Sequence, residues 1–180
     1  VEVANYFTNR PYGSDPSEVK LIQMFAVDYD YLALYSPEML CGRGFSEAYG
    51  NERNKVVLNE EAVRLLGYPS PEEALGKQLE MEVLEDPLEV VGVVKNYHQQ
   101  SLAEPYKPIL FFLKERVPFI ATPYISVKMD GSVNSDRLAE VEQMYRTYFP
   151  SALFSYFYLD DYQDSLYLSL IHISEPTRPY

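Results

Sequence analysis

The sequence lacks most of what catalytic and metal chemistry draws on. Its 180 residues hold a single cysteine, two histidines and no tryptophan. With Cys41 alone, no disulfide can form within the chain. That count does not choose a compartment, because extracytoplasmic domains of this size often do without a bridge. One Cys and one His outside the C-terminal tail exclude a Cys/His zinc site. No run of about 18 apolar residues occurs, so no segment reads as a membrane span. The chain also shows no initiating Met and no basic-then-apolar leader, and Val1-Glu2-Val3 opens in a strand pattern. It therefore reads as a piece cut from a longer protein, and the missing membrane helix is expected to be a property of the piece.

Positive charge is scarce as well. Fifteen Lys and Arg face 27 Asp and Glu, a formal net charge of −12. Such a surface repels phosphate backbones and anionic lipid, so no nucleic-acid partner is expected. What is abundant is tyrosine, with 17 Tyr beside 9 Phe. Tyr-rich surfaces can bind sugars or proteins, yet Tyr is equally a good half-buried strand residue. A 47% hydrophobic, 23% charged composition is that of a globular protein with an ordinary core.

The pattern along the chain mixes strands and helices without strict alternation, which predicts an α+β fold. Residues 1–8 and Val19–Val27 read as strands separated by a polar loop. Asp28 is placed to cap a short helix, Tyr29–Tyr35, which Ser36-Pro37 ends. Leu40 to Phe45 reads as a glycine-punctuated turn. Lys55–Leu58 is a strand, Asn59 caps the helix behind it, and Gly67 stands where a left-handed C-terminal cap is wanted. Ser70-Pro71-Glu72-Glu73 has the form of a capping box with Pro at the first helical position.

Lys77–Leu84 and Leu88–Lys95 predict a hairpin about Glu85-Asp86-Pro87, and Pro108–Leu113 a further strand. Tyr124–Met129 alternates like a strand. Asn134 caps a helix with apolar Leu138, Val141, Met144, Tyr145 and Tyr148, and Leu153–Leu159 reads as an aromatic strand before Asp160-Asp161. These segments predict two subdomains: an outer strand-helix-strand (porter-like) part from 1–50 plus 119–167, and an inserted, mainly β part from 51–118.

Candidate chemistry is thin. His98, with Ser101 nearby and many carboxylates, is the one conceivable nucleophile–base pair, but no Gly-x-Ser-x-Gly elbow accompanies it. A structural histidine at a strand end is the expected reading. Asp28 with Asp30, and Asp160 with Asp161, match no EF-hand spacing and suit helix N-termini. No phosphate-binding glycine loop is present. The residues thus predict no catalytic, cofactor-binding or metal-binding site.

Four stretches in order resemble the periplasmic core domain of MacB/FtsX-like permeases. They are Val27-Asp28-Tyr29-Asp30-Tyr31-Leu32 through Gly42-Arg43-Gly44-Phe45-Ser46, then Val56-Val57-Leu58-Asn59-Glu60-Glu61-Ala62 with Leu66-Gly67 and Ala74-Leu75-Gly76-Lys77. Val90 to His98 with Ser101-Leu102 and Glu104-Pro105 follows, and Asp160-Asp161-Tyr162 comes last. The third stretch is similar to the second copy of the domain in permeases that carry two, with Asn96-Tyr97 where the family often has Asp-Phe. The resemblance implies an extracytoplasmic, non-catalytic domain on the periplasmic side of the bacterial inner membrane. It implies as partners the transmembrane helices of the same permease, an ATP-binding subunit reached through them, and a periplasmic protein or exported substrate. It also implies that the domain relays ATP-driven movement. Two other readings compete: a ligand-binding or sensor domain for a sugar or peptide, and a small hydrolase built on His98. Residues 168–180 depart from the family, resemble vector read-through, and are set aside together with His172.

Overall fold

A computed structural model describes residues 5–97, 105–116, 124–129, 131 and 135–161. The fold is α+β, as the pattern predicts. Contacts divide the described residues into two compact units, one holding 5–97, 105–116 and 124–125, the other 126–129, 131 and 135–161.

The first unit carries seven strands: β1 Asn5–Pro11, β2 Lys20–Val27, β3 Met39–Gly42, β4 Lys55–Asn59, β5 Gln78–Met81, β6 Leu88–Val94 and β7 Ile109–Leu113. Their order is β3-β6-β4-β7-β2-β1-β5, and β5 also pairs with β6. The ladder from β6 through β4, β7, β2, β1 and β5 therefore returns to β6. Every strand in that ring has a neighbour on both edges, which removes the exposed backbone edges that invite mispairing. Among the described residues only β3, appended to β6 past the end of β5, has a single partner.

This order corrects the expected subdivision. β1, β2 and β3 come from the segment assigned to an outer part, yet they share one sheet with β4 to β7. The expected boundary between residues 50 and 51 falls inside that sheet. The reason is non-local pairing: β2 lies parallel to β7 and β4 parallel to β6, neither adjacent in sequence. The predicted hairpin also shrinks, because β5 meets β6 only at Gln78↔Glu89 and Leu79↔Leu88 before running along β1.

Side chains alternate across the sheet and fill two cores. Ile22 and Met24, Val56 and Leu58, and Leu110 and Phe112 point into one, where Ala62, Val63, Leu66 and Ala74 join them. Val27, Val57, Ile109, Phe111 and Leu113 point into the other, with Leu32 and Phe45 packed beside them. β7 is buried at all five positions, the signature of a strand covered on both faces. In β6 the alternation slips: Val56 pairs with Val90 and Val57 with Gly92, so Val91 is an extra residue. That bulge sends Val90 and Val93 into the same core and turns the Val91 carbonyl toward the chain after β3.

Helices cap the sheet. α1 (Tyr31–Tyr35) is shorter than expected, with Asp30 rather than Asp28 at its N-cap and no side-chain cap bond. α2 (Glu60–Leu65) is capped by Asn59, and α3 (Pro71–Ala74) by Ser70, as their sequences predict. Gly67 closes α2 at φ 82°, with Gly67 N–H donating to the Arg64 carbonyl and Tyr68 N–H to the Val63 carbonyl. This is the paired hydrogen-bond pattern of a left-handed helix stop.

In the second unit α4 (Ser135–Tyr148) forms where the apolar spacing placed it and stops at Phe149-Pro150. Behind it Tyr145, Phe149, Phe154, Tyr156 and Tyr158 make a chain of ring contacts, with centroids 5.1 to 5.9 Å apart. Residues 153–159 and 124–129, both expected as strands, join no ladder among the described residues, and Leu159 already begins a helical turn. Alternation describes their side chains, but a strand also needs a hydrogen-bonding neighbour.

Candidate functional site

Through residue 97 the first three motif stretches lie in the first unit, while Asp160 and Asp161 of the fourth lie in the second. Three small constellations draw on the first three stretches.

The first is a close approach of β3 and β6. Gly42 lies opposite Gly92 in the register. Gly42 has φ 71°, and a Cβ on it would stand 2.3 Å from the Val91 carbonyl oxygen. A Cβ on Gly92 would stand 2.2 Å from the Arg43 carbonyl oxygen. Only paired glycines admit this contact, which places Arg43 N–H 3.0 Å from the Val91 carbonyl it donates to.

The second gathers around Glu52, buried to 1% exposure. Arg43 Nη2 lies 2.5 Å from Glu52 Oε1, and Ser46 N–H donates to Glu52 Oε2 at 2.8 Å. The Arg43 guanidinium sits 3.9 Å over the Tyr49 ring and donates to the Gly44 carbonyl. A buried carboxylate is costly unless paired and hydrogen-bonded, and here it is both. Burial, helped by nearby Glu115, Glu52 and Glu47, pushes the Tyr29 hydroxyl pKa up, so Tyr29 stays a neutral phenol beside this group.

The third is the β4–α2 junction. Asn59 Oδ1 accepts from Ala62 N–H at 2.9 Å and Ile109 N–H at 2.8 Å, while Asn59 Nδ2 donates to the Lys107 carbonyl at 2.8 Å. Asn96 Oδ1 accepts from Glu61 N–H at 3.0 Å, and Asn96 N–H donates to Glu60 Oε2 at 2.8 Å. Two asparagines thus serve the donors that the first turn of α2 cannot satisfy itself. Neighbouring charges are engaged too: Arg64 holds the Glu61 carboxyl below the usual carboxylate range, and Glu38 holds the Lys95 ammonium pKa up.

Sequence reasoning named Asn59 as a cap. It missed Asn96, Glu52 and the pairing of Gly42 with Gly92, whose partners are remote or carry no periodic signal. His98 and Ser101 lie outside the described residues, as do Asn134, expected as a helix cap, Tyr162 and His172. Among the described residues no group of three or more His, Cys, Asp and Glu is placed to hold a metal. Asp28 and Asp30 flank the start of α1. Cys41 is half-buried in β3, and burial pushes its thiol up, away from the reactive thiolate. A shallow, open depression runs along α4, lined by Ala139, Glu142, Gln143, Arg146 and Thr147. It is not the closed apolar pocket that a small-ligand site favours. Among the described residues no helix is long and apolar enough to cross a membrane.

Residues 1–144 match the family described as the MacB-like periplasmic core domain. An uncharacterized ABC transporter permease of Bacillus subtilis, YvrN, is 33% identical over 123 residues, 64% of this chain. The aligned part is 29% of that permease, so the chain spans under a third of that relative. The periplasmic region of MacB from Actinobacillus actinomycetemcomitans superposes with a TM-score of 0.60 at 16% identity, covering 97% of this chain and 74% of the other. The extracellular domain of the noncanonic ABC-type transporter YknZ from Gram-positive bacteria gives 0.56 at 12% identity, over 83% and 74%. A domain of a permease protein from Porphyromonas gingivalis gives 0.55 at 12% identity, over 81% and 66%. At such identities the superpositions speak for the fold, and the match over residues 1–144 speaks for descent. The chain belongs to the MacB-like periplasmic core domain family of ABC-transporter permeases.

Proposed function

We propose that this domain stands outside the cytoplasmic membrane, between membrane-spanning helices of one permease, and passes on movement driven by ATP hydrolysis. An ATP-binding subunit supplies the movement through the membrane part. The recipient is an exported substrate or a periplasmic protein, and the domain does no chemistry of its own. One observation carries this reading. The motif residues Gly42, Arg43, Asn59, Gly92 and Asn96 spend their bonds on holding strands and helix ends together. A body braced in this way suits transmission of displacement rather than turnover.

The test uses the whole permease in its host. Replacing the domain by a short Gly/Ser linker, with both flanking helices kept, should leave the permease co-purifying with its ATP-binding subunit. The mass-spectrometric profile of exported material should then match that of a strain without the permease. A wild-type export profile from the linker strain would overturn the proposal.

A further inference from the structure

Residues 28–37 lie between two fixed points of the sheet. Before them Val27 pairs with Leu113 at the end of β2, and after them the Glu38 carbonyl accepts Lys95 N–H at 2.8 Å. The segment between is held lightly. α1 has five residues, far fewer than the roughly 12 to 15 at which an isolated helix is even marginal, so packing must hold it. Of residues 28–37 only Leu32 is buried. Asp30 stands at the N-cap without a side-chain bond. Leu34 N–H donates to the Asp30 carbonyl at 2.8 Å and Ser36 N–H to the Leu32 carbonyl at 2.9 Å, both within the segment.

The exit from α1 is strained. Ser36 has φ 47° and ψ 47°, and among the described residues it is the one non-glycine with positive φ. That region presses Cβ toward the following carbonyl oxygen, and Pro37 restricts Ser36 further. Such strain persists only where the surroundings enforce it. Here Ser36 is pinned by its N–H bond to Leu32 and by its hydroxyl, which donates to the Ala33 carbonyl at 2.8 Å. Apolar contacts seat the helix on the body. Leu32 Cδ1 lies over Gly44, where an added Cβ would stand 3.3 Å from it, and the Tyr31 ring is 5.9 Å from that of Phe111. Leu32 is thereby part of the core that holds Val27, Val57, Phe111 and Leu113.

We propose that residues 28–36 form a lid on this core, hinged at Ser36, that lifts as a unit while the seven-stranded sheet stays intact. Opening releases the strain at Ser36, lifts Leu32 off Gly44 and withdraws the Tyr31 ring from Phe111. The lid is a property of the fold itself and stands whether or not the coupling reading above holds.

Thiol labelling of this chain tests it. With Cys41 replaced by Ser, Leu32→Cys reports on the lid and Val90→Cys, in the other core, on unfolding of the sheet. Position 32 should label at least about a hundredfold faster than position 90, with little dependence on dilute urea. Adding Ser36→Gly, which accepts the left-handed conformation, should slow labelling at position 32 about threefold. Ser36→Val, a β-branched residue that fits this region poorly, should speed it about tenfold. Hydrogen exchange at the Leu34 amide should follow the same order. Equal rates and equal urea dependence at positions 32 and 90 would overturn the lid, because α1 would then open only with the whole sheet. Labelling at position 32 that ignores both Ser36 variants would overturn it as well, since that marks static exposure without a strained hinge.

Discussion

Replacing Asn59 by Ala tests the structural account at its densest point. The side chain is 1% exposed and makes bonds to Ala62 N–H, Ile109 N–H and the Lys107 carbonyl. Loss of an N-cap costs typically about 1 kcal/mol. Here the Ile109 amide and the Ala62 amide also lose their acceptor in a buried setting, where an unsatisfied donor costs about 1 to 3 kcal/mol. These terms overlap at Ala62, so the expected loss is about 3 kcal/mol, a large fraction of a domain's stability. The natural control is Ser70→Ala, which removes an exposed cap with one long bond of 3.4 Å to Glu73 N–H. It should cost under about 1 kcal/mol. Urea unfolding of the two variants beside wild type, with matched m-values, gives both numbers. If Asn59→Ala costs no more than Ser70→Ala, the assignment of three structural bonds to Asn59 is refuted.

Two further outcomes follow from the geometry around β3. Gly92→Ala must displace the backbone of Arg43, since its Cβ would lie 2.2 Å from that carbonyl oxygen, and it should cost about 3 kcal/mol or more. Gly76→Ala meets open space and pays only for its φ of 72°, about 1 kcal/mol, so urea midpoints should rank the two variants clearly. Cys41 should react with a thiol reagent at mildly alkaline pH more slowly in the folded chain than in denaturant. Burial favours the neutral thiol, so the pH–rate curve of the folded protein should lie to higher pH. Equal rates in the two states would contradict the half-buried placement of Cys41.

Local chemistry was legible in the residues. Asn59, Gly67 and the Ser70-Pro71 box mark helix ends through bonds within a few residues, and each appears where its type predicts. Runs such as Val56-Val57-Leu58 and Ile109–Leu113 are strands because nothing else buries them so completely. Pairing was not legible. β2 and β7 lie more than 80 residues apart at Gln23↔Ile109, and no local pattern chooses that neighbour. The glycines of Leu40–Phe45 read as a turn because their need, close passage of β6, comes from residues 91–92. Conversely, 124–129 and 153–158 alternate like strands and join no ladder among the described residues. Asn96 escaped for the same reason as β7: its partners Glu60 and Glu61 lie 36 and 35 residues away.

The central claim is that ATP-driven movement reaches this domain, and a distance measurement in the full-length permease tests it most directly. With Cys41 replaced by Ser, spin labels at Val19→Cys in the first unit and Tyr148→Cys in the second would occupy exposed positions. Pulsed dipolar spectroscopy on the nanodisc-embedded transporter with its ATP-binding subunit would compare nucleotide-free and vanadate-trapped states. The account predicts a distance distribution that shifts between the two states. An identical distribution in both, in a preparation that hydrolyses ATP, would contradict it.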